Sequence, residues 1–187
     1  VDGKRVAEKV YVKNPTNLYT LQAKAGKEYH IEILFKQRNE RATLDFDLGK
    51  QVEINLNLAV EKVKDADVVL FAGGISPSLE GEEMPVEVSG FKGGDRTDIE
   101  LPAVQRDLLR TLKKAGKKVV FINYSGSAIG LVPESNTCEA ILQAWYPGQA
   151  GGTAIVDVLF GDYNPAGRLP VTFYKNAGQL TDFEDYS

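Results

Sequence analysis

The chain has 187 residues, 43% of them hydrophobic and 26% charged, with a formal net charge of −4. That length fits one domain, or one domain plus a fragment. The acidic balance argues against nucleic acid, whose binders carry clustered basic surface, and no run of about 18 apolar residues is present to span a membrane. A single cysteine, Cys138, excludes an intrachain disulfide. With His30 as the only histidine there is no zinc cluster to build, and a Ser-His-Asp or Cys-His site would have to use that residue. Cys138, just before an apolar run, is expected to be a small buried residue, and His30 to sit inside a strand. Met84 is the only methionine, so the chain is expected to be a piece of a longer protein.

Residues 1–49 read as β-rich. Val1-Asp-Gly-Lys4 carries an Asp-Gly turn signal. Tyr29, Ile31, Ile33 and Phe35 alternate with His30, Glu32 and Leu34, the period of a half-buried strand, and a short strand is expected around Thr43, Asp45 and Asp47. From residue 50 to 187 the pattern becomes alternating helix and strand. Leu56, Ala59, Val60 and Val63 recur at helical spacing, and Val68-Val-Leu-Phe-Ala72 is a continuous apolar run, as in a parallel strand covered on both faces. Pro102 suits a first helical turn, followed by a stripe of Val104, Leu108, Leu109 and Leu112 that ends near Gly116. Strands follow at Val119–Asn123 and Ala140–Trp145. A helix through Ala154, Ile155, Val158 and Leu159 closes at Gly161, and a last strand is expected at Val171–Tyr174. Such alternation implies an α/β fold: an open, mostly parallel sheet with helices on both faces, a flavodoxin-like sandwich. In such sheets ligands sit beyond the carboxyl ends of the strands.

The connection spanning residues 73–101 is far longer than the usual strand-to-helix loop, which marks it as functional or disordered. It carries Glu80, Glu82, Glu83, Glu87, Asp95, Asp98 and Glu100 against Lys92 and Arg96, and with no other domain covering them residues 75–95 are expected to be held by few buried contacts. Taken alone, that composition reads as a solvated acidic loop. Asp95 and Arg96 read either as sugar contacts or as a pair anchoring the loop's return. Trp145 and Tyr146 read either as rings stacking on a sugar or, for Trp145, as core filling at a strand's end before the Pro147-Gly148 turn, and Gln149-Ala-Gly-Gly152 either as a helix start holding an anion or as glycines for close helix-to-sheet packing. Gly73-Gly74 does not complete a dinucleotide fingerprint, and Ser125-Gly-Ser-Ala lacks the Gly-x-Ser-x-Gly elbow.

Two blocks carry a resemblance. One is Ser78-Leu-Glu-Gly-Glu-Glu-Met84 running to Gly93-Gly-Asp-Arg-Thr-Asp-Ile-Glu-Leu-Pro102; the other is Ala144-Trp-Tyr-Pro-Gly-Gln-Ala-Gly-Gly152 with Phe160-Gly-Asp-Tyr-Asn-Pro-Ala-Gly-Arg-Leu-Pro-Val-Thr-Phe-Tyr174. Over residues 55–187 the chain resembles the carboxy-terminal sandwich domain of glycoside hydrolase family 3, of the β-xylosidase and β-glucosidase kind. Residues 1–49 resemble the tail of a protective-antigen-like β insert found in some members. The resemblance implies a retaining exo-acting β-glycosidase that removes terminal β-linked sugars from oligosaccharides, secreted or periplasmic, without metal or cofactor. Glycosidases need two carboxyl groups, one protonated and one ionised. In the family the nucleophilic aspartate lies on an amino-terminal barrel, a partner domain of the same full-length chain, and the acid/base glutamate arrives on the sandwich domain's loop. Carried onto this sequence, Glu80 is the acid/base, Glu82 the second choice, and Asp95 and Arg96 bind substrate or anchor the loop. Lacking the nucleophile, this chain alone is expected to be inactive. The alternative is a non-catalytic flavodoxin-like carbohydrate-binding or interaction module.

Overall fold

The computed structural model describes residues 1–6, 19–35, 48–50, 52–80, 86, 88–182 and 184–185. The chain divides into two compact units, Val1–Val52 and Glu53–Ser187.

The described residues of the first unit form no strand. Asp2 and Gly3 turn the chain with positive φ of 48° and 74°, and the Lys4 amide closes the turn on Val1 O at 2.9 Å. Asp2 then exchanges two hydrogen bonds with His30, one through its backbone amide and one through its carboxylate. The alternation at residues 29–35 therefore meets a turn residue rather than a strand ladder. From His30 onward these residues are exposed, so His30 is not a strand interior. Residues 43–47 lie outside the described residues.

In the second unit, helix α1 (Leu56–Lys62) starts where the Asn55 side chain accepts from the Asn57 amide at 3.1 Å. Strand β1 (Val68–Gly74) and strand β4 (Lys118–Tyr124) pair in parallel, Val68 opposite Lys118 through Gly74 opposite Tyr124. Strand β5 (Ala140–Gln143) joins the other side of β4, also parallel, giving the order β1-β4-β5. The long connection contains a two-residue hairpin, β2 (Phe91–Lys92) against β3 (Asp95–Arg96). Helix α2 (Ala103–Lys114), the short α3 (Val132–Ser135) and α4 (Gly151–Phe160) complete the α/β order.

The core lies between β4 and α2. Val119 and Phe121 of the central strand are fully buried, with Leu109, Leu112, Leu101, Ile129, Ile75 and Phe91 packed around them. Phe71 of β1 meets Phe121 ring to ring at 5.5 Å. Each such side chain contributes about 1.5–3 kcal/mol by leaving water. The helical stripe is narrower than its sequence suggested. Val104 is exposed, because five residues at about 100° each set it roughly 140° away from Leu109. Helix α2 ends in a Schellman arrangement: Gly116, at φ 76°, donates to Lys113 O and Lys117 donates to Leu112 O.

Three further expectations change. Residues 171–174 form no strand; Phe173 instead packs edge-on against Trp145 at 5.9 Å. Trp145 is half-buried on that ring rather than filling the core. The glycine at the start of α4 answers to Pro147, not to the sheet: a Cβ at Gly151 would come within 2.4 Å of the Pro147 side chain, while Gly152 has open space.

Candidate functional site

The site is built where β1 stops. At Gly74 the chain turns with φ 130°, and a Cβ there would meet Tyr124 O at 1.8 Å, so only glycine lets β1 leave the sheet here. The Gln105 side chain of α2 completes the strand end like a neighbouring strand, accepting from the Gly74 amide at 2.8 Å and donating to Gly74 O at 2.7 Å. Ile75 is buried and donates its amide to Tyr124 O at 2.8 Å. A turn follows in which the Leu79 and Glu80 amides both reach back to Ser76 O, at 2.9 and 3.3 Å. The expectation of a loosely held loop therefore fails at this end, and at Phe91 too, since both Ile75 and Phe91 are core residues.

This turn delivers the Glu80 carboxyl to groups that follow the other two parallel strands. Ser127, just after β4, donates its hydroxyl to Glu80 Oε1 at 2.5 Å. Tyr146, just after β5, places its hydroxyl 3.3 Å from Glu80 Oε2 and 2.8 Å from Ile75 O. Arg96 brings Nη1 to 4.0 Å from Glu80 Oε1. The carboxyl is thus held beyond the carboxyl ends of β1, β4 and β5, where open α/β sheets place their ligands. Its side chain keeps 19% of its exposure, so it stays within reach of a ligand.

Arg96 is the hub of the loop's return. Its Nε donates to Asp98 O at 3.0 Å, Nη1 to Ser127 Oγ and Ala128 O at 3.1 Å each, and Nη2 to Glu100 O at 3.3 Å. Burial pulls this guanidinium below its ordinary range, against the opposing charges of Glu80, Asp98 and Glu100. Asp98 adds a carboxylate bond to the Glu100 amide at 2.8 Å. Asp95 is exposed and pairs through the backbone with Lys92. The structure brings Glu80 and Arg96 together and leaves Asp95 apart, and Glu82 lies outside the described residues.

Two polar networks support this arrangement. Glu134, 1% exposed, receives Arg106 at 2.6 and 3.1 Å, and Arg106 also reaches Glu100 Oε2 at 2.7 Å and Gly130 O at 3.2 Å. At the ends of β4 and β5 the Asn123 amide donates to Ser125 Oγ at 3.2 Å and Gln143 Oε1 at 2.5 Å. The Gln143 amide returns to Ser125 Oγ at 3.1 Å. Asn123 Oδ1 has no hydrogen-bond partner among the described residues, a cost of about 1–3 kcal/mol.

Sequence reasoning passed over Ser127, set aside with its failed nucleophile elbow, and the Tyr146 hydroxyl. The signal available was position: both follow a parallel strand at its carboxyl end. Cys138 is half-buried against the core, and burial pushes its thiol up to about 11, so it is neutral and unreactive at neutral pH.

A family model described as the glycosyl hydrolase family 3 C-terminal domain matches residues 3–187. A xylan 1,4-beta-xylosidase of Xylanibacter ruminicola is 52% identical over 189 residues, covering 100% of this chain and 22% of that protein. A periplasmic beta-glucosidase of Salmonella typhimurium is 43% identical over 122 residues, 65% of this chain and 15% of its own length. Among solved structures, a β-glucosidase from Erythrobacter marinus superposes with a TM-score of 0.60 at 39% identity, covering 67% of this chain and 16% of that one. The chain therefore spans about a fifth, or less, of the proteins it matches. No helix among the described residues is long and apolar enough to cross a membrane.

Proposed function

The chain belongs to glycosyl hydrolase family 3, as a C-terminal domain, and from that membership we propose that it completes the active site of a retaining, exo-acting β-glycosidase. The whole protein removes terminal β-linked xylose or glucose from oligosaccharides. It works outside the cytoplasm, secreted or periplasmic, a reading supported by one relative whose name calls that protein periplasmic. The nucleophilic aspartate is supplied by a barrel domain elsewhere in the same protein, and Glu80 is the acid/base.

The observation that carries this reading is the gathering of one carboxyl, Glu80, by hydroxyls that follow two different parallel strands. A merely solvated acidic loop has no reason to deliver a carboxyl there. In the first step the Glu80 proton passes to the glycosidic oxygen as its bond to the anomeric carbon breaks and the aspartate carboxylate bonds to that carbon. In the second, Glu80 takes a proton from water as the water oxygen displaces the aspartate, and the β configuration is restored. Arg96 and Asp98 fix the loop that carries the acid; Asp95 has no part in the step.

The test uses leaving groups in the full-length enzyme. General-acid help contributes typically 10²–10⁴-fold, most where the leaving oxygen is poor. Glu80→Ala is expected to lower kcat/KM on xylobiose or cellobiose by that range while leaving glycosylation by a dinitrophenyl glycoside within about tenfold. An equal loss on both substrates would remove Glu80 from the role.

A further inference from the structure

The Tyr146 hydroxyl has one proton and three polar neighbours, Ile75 O, Glu80 Oε2 and the Gly126 backbone amide. Ile75 O is a carbonyl and can only accept, so at 2.8 Å it takes the phenol proton. The longer contact, in which the hydroxyl reaches Glu80 Oε2 at 3.3 Å, is the weaker claim on that one proton. It becomes a full hydrogen bond when Glu80 carries a proton on Oε2 and donates it to the phenol oxygen. The other carboxyl oxygen has the opposite surroundings: Ser127 donates to Oε1 while itself receiving Arg96 Nη1. One oxygen of Glu80 is thus set up as a carbonyl-like acceptor and the other as a hydroxyl donor.

From this geometry we propose that Tyr146 is a positioning residue for Glu80, holding the acid form with its proton on Oε2. The inference rests on the acid/base reading given above. The same hydroxyl clamps the turn at both ends, since Ile75 begins it and Glu80 closes it. Tyr146 is placed by its neighbours: Trp145 holds a left-handed φ of 57°, which a non-glycine residue adopts at a cost. Gly126 leaves the space the ring occupies, because a Cβ there would sit 2.6 Å from Tyr146 Cε2. The phenol keeps its own proton through the working range, pushed up first by burial and also by the Glu80 charge. The charged or titratable groups facing the pair are Arg96 from β3, with Asp98 and Glu100 behind it.

The experiment compares pH profiles of kcat/KM for full-length wild-type, Tyr146→Phe, Gly126→Ala and Glu80→Ala enzymes on a disaccharide substrate. The basic limb, which reports the acid, is expected to move to lower pH by roughly half to one unit in Tyr146→Phe, the worth of one neutral hydrogen bond. The acidic limb stays in place. Gly126→Ala, which displaces the ring, is expected to give the same direction. A residue that only packs would lower the rate at every pH without moving a limb, and that result overturns the proposal, as does a shift to higher pH. If Tyr146→Phe does not fold, an unmoved basic limb in Gly126→Ala overturns it. Failure of the underlying reading is separate: Glu80→Ala would then hydrolyse the disaccharide at close to the wild-type rate.

Discussion

The two oxygens of Glu80 have different neighbours, the Ser127 hydroxyl on one and the Tyr146 phenol on the other. Cys138 shows the opposite case, a group taken out of chemistry by its surroundings. Burial raises its thiol from 9.0 to about 11, which leaves about a hundredth of the thiolate that an ordinary cysteine has near pH 8. Its reaction with a thiol reagent such as dithionitrobenzoate at pH 8 is expected to be about 100-fold slower than that of the unfolded chain. A rate within a few-fold of the unfolded chain would contradict the burial. Glu80 and Arg96 were singled out only through the family resemblance carried by Ser78-Leu79-Glu80 and Asp95-Arg96, since the loop's composition alone reads as a solvated acidic stretch. Ser127 and the Tyr146 hydroxyl were not, since a serine after one strand and a tyrosine after another have no local signature. Only pairing β4 with both β1 and β5 brings them to one carboxyl.

Among the elements, the connection of residues 73–101 is fastened at its return by Arg96 and again by Arg106. Helix α2 supplies Arg106, α3 supplies Glu134, and Glu100 closes the loop on the same guanidinium. Burial works against the charge of Arg106, yet its bonds to Glu134 and Glu100 carry the net shift upward. Removing one partner of a buried pair leaves the other uncompensated. Glu134→Ala is therefore expected to cost about 3 kcal/mol in urea unfolding of residues 1–187, while Glu134→Gln costs less. A loss below about 1 kcal/mol for Glu134→Ala would show that the network is replaceable. Helices α1, α2 and α4 and the parallel strands of the second unit were legible because apolar runs and 3.6-residue stripes are local; α3, a single turn, was not. Among the described residues, 29–35 and 171–174 form no strand. There the alternation found the Asp2 turn and the Trp145 ring instead.

Taken whole, the chain brings the Glu80 carboxyl to the carboxyl end of its sheet and matches relatives of which it spans about a fifth. The account therefore stands on which carboxyl is the acid/base, and Glu80 competes with Glu82, two residues along the same loop. The decisive measurement is azide rescue in the full-length enzyme with a dinitrophenyl glycoside. Without its base the glycosyl-enzyme accumulates, and a small anion that needs no proton removed restores turnover. Glu80→Ala is expected to regain turnover with added azide and to yield the β-glycosyl azide, while Glu82→Ala gains nothing. Rescue of Glu82→Ala with none for Glu80→Ala would contradict the account and move the acid/base two residues along the chain.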